Sequence, residues 1–446
     1  MTEKLNNLKI LLINTHSFKN AGDAALALVT IQQFEEKFPG CKITLSMNDP
    51  DSYPEFKSKV NSFFFWSKTR SKRGNGRWNL FQMLQLLFQS LLTALTYRLF
   101  RRKVCFHITR KQRLLLESYL RADLIVSVPG NYLVGTGRIG INLLVVCYTI
   151  GYAILLGKPL YIYPVSIGPF RHFWEWKLVN WVLTNARIVM VREPASMERL
   201  IESGFIHPRK YLIPDIAFSY TGASANTGRN WLTSKGLTLD DNRPLLGITV
   251  INWEKQTTNF TNQNEYEISL FEAAKYFIEE MGGKVILFPQ VCGPAPFDDD
   301  RIPARRIFKR LQEEELDAIQ VDNPTPPDLL KSAYGFMDLF IGTRMHSNIF
   351  ALSSNVPVIA IAYRYKSNGV MQLLGLDDWI IEIEEINSEK LISLLLNLWN
   401  SRNKVKQEIS SSMPFIKKEC QKSIEVTYND FILLINKDHF LSCKTY

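Results

Sequence analysis

Leu8-Lys9-Ile10-Leu11-Leu12-Ile13-Asn14 is followed by Thr15, His16 and a short polar loop, then by Asn20-Ala21-Gly22-Asp23, which opens a helical run from Ala24 to Phe38. A short apolar run ended by polar residues reads as a strand buried on both faces, with the following helix packed against it. Gly22 permits close backbone approach, and Asp23 is positioned to cap the helix. The same unit recurs along the chain. Leu124 to Val128, Leu160 to Pro164, Ile188 to Val191 and Tyr211 to Ile213 read as further parallel strands.

After a polar stretch from Ser219 to Arg243 the alternation starts again, with Leu245 to Ile251, Lys284 to Phe288, Asp338 to Ile341, Val358 to Ile361 and Trp379 to Ile383. A chain of 446 residues is too long for one core. The restart therefore predicts an α/β protein of two facing, doubly wound, Rossmann-like domains. Residues 1–220 form the first, with a basic amphipathic helical insert over 57–121; 221–243 form a linker, and 244–446 the second domain. The tail from Asn387 to Tyr446 reads as helical, with Leu391 to Trp399 strongly apolar.

Hydrophobic content of 46% with 22% charged residues is that of a globular protein and excludes a disordered one. Six cysteines lie scattered without a close pair, so their spacing spells neither a zinc site nor a redox pair. They read as reduced thiols of a cytoplasmic protein. The apolar run at Leu8 to Ile13 is too short for a secretory signal. The net charge of +10 is local: between Glu55 and Glu117 stand 14 Lys and Arg and no acid, and the rest of the chain is net acidic. A nucleic-acid binder is not built so.

In doubly wound sheets ligands bind beyond the carboxyl ends of strands, beside helix N-termini. Gly342-Thr343-Arg344-Met345-His346-Ser347 falls there, after the strand ending at Ile341 and at the start of a helix through Ser353. Free N–H groups and the helix dipole favour an anion at that place. A guanidinium binds phosphate or carboxylate by paired bonds, and an imidazole gives or takes a proton near neutrality. Arg192 and Lys366 follow strands in the same manner. A glycine-dense loop, Pro129-Gly130-Asn131-Tyr132 with Gly135, Gly137 and Gly140, follows another strand. An ordinary capped helix and solvated surface cations are the competing readings. His107, His172, His207 and His439 have no companion at ligand spacing, so no metal site is expected, although Asp298-Asp299-Asp300 could hold a cation.

These residues, with Pro164-Val165-Ser166-Ile167-Gly168-Pro169, Arg192 with Ser196 and Gly204, Pro214-Asp215, and Pro357 to Gly369, make the chain resemble the polysaccharide pyruvyl transferases from Lys9 to Trp379. The resemblance implies a glycosyltransferase B-like architecture. It implies an enzyme that moves the enolpyruvyl group of phosphoenolpyruvate onto a hydroxyl pair of a sugar in a polysaccharide or lipid-linked glycan, forming a pyruvate ketal and releasing phosphate. Arg192, Arg344 and Lys366 would then hold the donor and His346 would be the acid/base residue. Asn20, Gly22, Asp23, Gly130 and Asn131 would meet the acceptor. No cofactor is expected besides phosphoenolpyruvate as co-substrate. Where many relatives carry consecutive glycines this chain has Pro129-Gly130-Asn131. The Arg344 and His346 pair also suits a diphosphate, so a nucleotide-sugar glycosyltransferase remains the alternative; a non-catalytic scaffold of a glycan-assembly complex is a third reading.

Asn79 to Tyr97 carries no charge, with Lys68, Arg70, Lys72, Arg73 and Arg77 before it and Arg98, Arg101, Arg102 and Lys103 after. On a helical wheel Gln82, Gln85, Gln89, Thr93 and Thr96 form one stripe, opposite Leu84, Leu87, Phe88, Leu91 and Leu95. Seven of those nineteen residues are Asn, Gln, Ser or Thr, too many for a transmembrane span. The pattern predicts a helix lying on an anionic membrane, peripheral on its inner face. A helix packed on the domain is the competing reading.

Overall fold

The computed structural model describes residues 7–64, 76–135, 140–239, 241–254, 256–257, 260–363 and 365–443, with the side chains of 76–80, 296, 365–367 and 438–443 outside that description. The chain divides into two compact units. The first comprises residues 1–18, 26–216 and 419–446; the second comprises 19–25 and 217–418.

The first unit holds an eight-stranded, wholly parallel sheet. Its strands are β1 (Lys9–Thr15), β2 (Lys42–Met47), β3 (Lys59–Asn61), β4 (Leu124–Ser127), β5 (Gly130–Leu133), β6 (Leu160–Ile167), β7 (Ile188–Val191) and β8 (Lys210–Leu212). They lie in the order β3-β2-β1-β4-β6-β7-β8, with β5 also paired to β6. Every residue of β4, β6 and β7 is buried, as apolar runs covered on both faces require.

The second unit holds a six-stranded parallel sheet of β9 (Leu245–Thr249), β10 (Lys284–Phe288), β11 (Ala318–Gln320), β12 (Leu339–Gly342), β13 (Val358–Ala362) and β14 (Ile380–Glu382). The order β11-β10-β9-β12-β13-β14 is the 3-2-1-4-5-6 order of the dinucleotide-binding fold. Strand order reverses between β1 and β4 in one sheet and between β9 and β12 in the other. Those are the crevices where such sheets take ligands.

The doubly wound α/β architecture expected from the sequence is thus observed, and three local expectations are corrected. The loop at Gly130 and Asn131 contains a strand, because Gly130 and Leu133 find backbone partners at Val165 and Ile167 of β6. The polar stretch 221–243 carries a helix, Ala225–Ser234. Ser224 caps it, and a Cβ on Gly228 would lie 2.1 Å from Ser332 Oγ, so it packs too closely to be a free linker. The helix of the first motif is Ala21–Lys37, and its first turn is capped by Asn20 rather than Asp23. The Asn20 Oδ1 accepts from the N–H of Gly22 at 3.0 Å and of Asp23 at 3.4 Å. In the helix Gly76–Phe100, Gln89 and Thr93 of the polar stripe are buried.

The tail forms one helix, Ser388–Cys443. In the second unit it buries Leu391, Leu395 and Leu398. Its residues from 419 group with the first unit. There Asp430 accepts from Tyr161 at 2.9 Å and is bound by Arg187 and Arg209.

Candidate active site

In the second unit the helix Met345–Ser353 starts directly beyond β12, with Arg344 in extended backbone at its N-cap. Arg344 therefore stands at the reversal between β9 and β12. Its guanidinium is buried and held by two carboxylates. Nε and Nη2 donate to Asp300 at 3.0 and 2.6 Å, and Nη2 donates to Asp298 at 2.9 Å. Burial lowers the Arg344 pKa, but Asp300, Tyr363 and Asp298 together raise it well above the ordinary value. Burial pushes Asp300 up to about 6, against the opposing pull of Arg344. The Asp298-Asp299-Asp300 run thus engages guanidinium cations of the chain itself, Asp299 taking Arg301 at 2.7 Å.

His346 lies in the first turn of the same helix, with its ring against the backbone of Gly22. A Cβ added at Gly22 would sit 2.1 Å from His346 Nδ1, so no other residue fits without moving the imidazole. The segment around Gly22 is bonded into the second unit: the Ala21 N–H donates to Gln290 O at 3.0 Å, and the Cys292 N–H donates to Lys19 O at 2.7 Å. A short network steadies the turn. Tyr266 Oη meets Thr343 Oγ1 at 2.7 Å, Thr249 Oγ1 meets Ser347 Oγ at 2.7 Å, and Ser347 Oγ donates to Arg344 O at 2.6 Å.

Around this sheet edge several buried polar atoms have no hydrogen-bond partner among the described residues. They are Asn252 Oδ1 beyond β9, Gln290 Nε2 beyond β10, and both amide atoms of Asn348 beyond β12. Each such atom costs on the order of 1–3 kcal/mol when left unpaired, so a cluster of them at a strand-end crevice suits a polar ligand.

The first unit has its own polar cluster. Arg192, just past β7, is buried, with Nη1 donating to Asp215 at 2.7 Å and Nε donating to Ser166 Oγ at 2.8 Å. At its strand reversal, Asn14 Nδ2 donates to Ser127 Oγ at 2.9 Å, and that hydroxyl lies 2.6 Å from Tyr132 Oη. Burial raises the Tyr132 pKa far above the usual range, with Arg192 among the groups that oppose it. Asn131 Oδ1 is buried without a hydrogen-bond partner among the described residues, next to Gly130.

The structure brings Arg344, His346, Asn20 and Gly22 together in the second unit, with Asp23 one residue beyond Gly22 in the same segment. Gly130, Asn131 and Arg192 lie in the first. Lys366 belongs to the helix Tyr365–Gln372, but its side chain lies outside the described residues. Sequence reading missed the positioning partners Asp298, Asp300, Tyr266, Ser166 and Asp215. Pro214-Asp215 and the acidic run were visible as motifs, but nothing in their spacing assigns them to a particular arginine.

The family model of polysaccharide pyruvyl transferase matches residues 20–365. The amylovoran biosynthesis protein AmsJ of Erwinia amylovora is 24% identical over 277 residues, covering 58% of this chain and 63% of that protein, so the chain spans less than two thirds of this curated relative's length. Among solved structures, UDP-GlcNAc 2-epimerase from Methanocaldococcus jannaschii superposes with a TM-score of 0.54 at 13% identity, covering 88% of this chain and 93% of that one. UDP-GlcNAc 2-epimerase from Neisseria meningitidis bound to UDP-GlcNAc gives 0.55 at 10% identity, covering 95% and 99%. At such identities these two establish the glycosyltransferase B-like fold alone. The family match takes in well over half of the chain, including Gly22, Arg192, Arg344 and His346, and the chain therefore belongs to the polysaccharide pyruvyl transferase family.

Proposed function

We propose that this chain transfers the enolpyruvyl group of phosphoenolpyruvate to two neighbouring hydroxyls of a sugar in a polysaccharide or lipid-linked glycan, as a ketal, with release of phosphate. The observation that carries the reading is the pairing of His346 with Arg344 at one helix N-terminus, the imidazole seated on the bare backbone of Gly22. A proton donor and an anion-holding cation at one helix N-terminus are what an enol phosphate requires.

The step balances as follows. His346 gives a proton to the methylene carbon, which becomes a methyl group and leaves the middle carbon electron-poor. One sugar hydroxyl adds there and loses its proton. The carbon–oxygen bond to phosphate then breaks, and the second hydroxyl closes the ketal and loses its own proton. One proton returns to His346 and the other leaves with phosphate. Arg344, with Nε and Nη2 fixed by Asp298 and Asp300, would offer Nη1 to the donor's negative charge, with Arg192 and Lys366 as further donor contacts. Asn20, Gly22, Asp23, Gly130 and Asn131 are assigned to the acceptor side. The compartment in this reading is the cytoplasm, in keeping with the free thiols of Cys41, Cys105, Cys147 and Cys292.

The test is to incubate the protein with phosphoenolpyruvate and a panel of aryl galactosides and mannosamine derivatives, measuring phosphate and product mass. Phosphate release that requires acceptor, with a product heavier by one ketal-linked pyruvyl group, supports the reading. Turnover of nucleotide sugars instead would replace it with glycosyl transfer.

A further inference from the structure

The helix Gly76–Phe100 is oriented contrary to the rule for helices packed on soluble domains. Its inward side is largely polar or small: Gln89, Ser90, Thr93 and Ala94 are buried with Leu86. Ser90 Oγ lies 2.5 Å from Tyr148 Oη, and Thr93 Oγ1 accepts from the N–H of Phe106 at 3.0 Å. Leu84, Phe88, Leu91, Leu95 and Leu99 lie within one narrow arc of the wheel on the opposite side, each 49 to 68% exposed. Burying the Gln, Ser and Thr side while leaving five large apolar residues in contact with water costs free energy unless that face is covered.

Charge identifies the cover. Arg98 borders the stripe on the wheel, and Arg101, Arg102 and Lys103, all exposed, follow at the helix end. The surrounding sequence from Phe56 to Leu116 holds no acid at all. No helix among the described residues is long and apolar enough to cross a membrane. We propose that this stripe docks on an anionic phospholipid surface, with Leu84, Phe88, Leu91, Leu95 and Leu99 entering the acyl boundary and the basic cluster pairing with lipid phosphates. The helix then lies in the plane of the bilayer interface. This docking is independent of the chemistry proposed above.

The 446-residue chain is sedimented with phosphatidylcholine vesicles containing roughly 30% phosphatidylglycerol, and with phosphatidylcholine alone, the former mimicking an anionic leaflet. Binding to the anionic vesicles and release at high ionic strength are expected. A Phe88→Glu/Leu95→Glu variant should lose binding by about tenfold or more, since charge is placed at the acyl boundary. An Arg101→Gln/Arg102→Gln/Lys103→Gln variant should lose on the order of a hundredfold, from roughly 1 kcal/mol per basic residue. All these positions are exposed, so circular dichroism should be unchanged in both. Equal binding by the stripe variant overturns the proposal. So does a wild type that ignores vesicles but forms a dimer that the stripe variant dissolves, which would assign the face to a second copy of the chain.

Discussion

His346 and Gly22 constrain each other at the scale of single residues. The ring fits because position 22 has no side chain, and the helix N-terminus fixes where the ring must be. His346→Ala is expected to lower kcat on the order of 10²- to 10⁴-fold if the imidazole is the proton donor. Gly22→Ala, which leaves the imidazole present but displaced, should lower kcat on the order of a hundredfold. Initial-rate measurements on both variants check this, and an unchanged kcat in either would sink the assignment.

Asp300 sets a pH dependence. Its pKa is raised from 3.8 to about 6, so its contribution to folding is fullest below the unfolded value and is lost as pH climbs through about 6. Above that pH the carboxylate holds Arg344; below it Arg344 loses that charge partner. Sulfate, whose charge is constant over this range, should bind more tightly as pH falls from 7 to 5, and Asp300→Asn should flatten the change. Calorimetric titration decides. Arg344 and His346 were legible in sequence because they directly follow a strand. Their partners were not, because Asp300 reaches Arg344 across 44 residues.

Among elements, Asn20 does the capping work for the helix Ala21–Lys37. Asn20→Ala should cost about 1 kcal/mol and Asn20→Gly only a few tenths, by urea denaturation. Equal losses would mean that the side chain is not the cap. The apolar strands β1, β4, β6, β7, β9, β10, β12 and β13 could be read directly, since burial on both faces demands continuous apolar runs. β2, β3 and β11 could not. β3 and β11 have only three residues each, β2 alternates Lys42, Thr44 and Ser46 with its apolar residues, and all three owe their strand form to pairing with a neighbour. β5 was hidden in a glycine-rich stretch for the same reason.

The whole molecule is two sheets whose boundary does not follow chain order. The helix Ser388–Cys443 contributes to both units, and its last part brings Cys420, Ser423, Thr427, Asp430 and Phe431 into the interior of the first. Phe38 rests against Tyr428 and Phe431 of that part. A chain ended at Lys418 should therefore lose the first unit's stability while keeping that of the second. Limited proteolysis should degrade residues 26–216 and spare 217–418. Resistance across both would show that the last part of the helix is dispensable.

Strand periodicity, the restart near Leu245 and the cations placed after strands were determined by the sequence alone, because hydrophobic burial and helix-terminus electrostatics act over a few residues. Tertiary structure alone decided that residues 19–25 join the second unit beside His346, that Asp298 and Asp300 hold Arg344, and that the basic helix turns its apolar stripe to the outside. Each of these rests on contacts between segments far apart in sequence, where no local period records the partner.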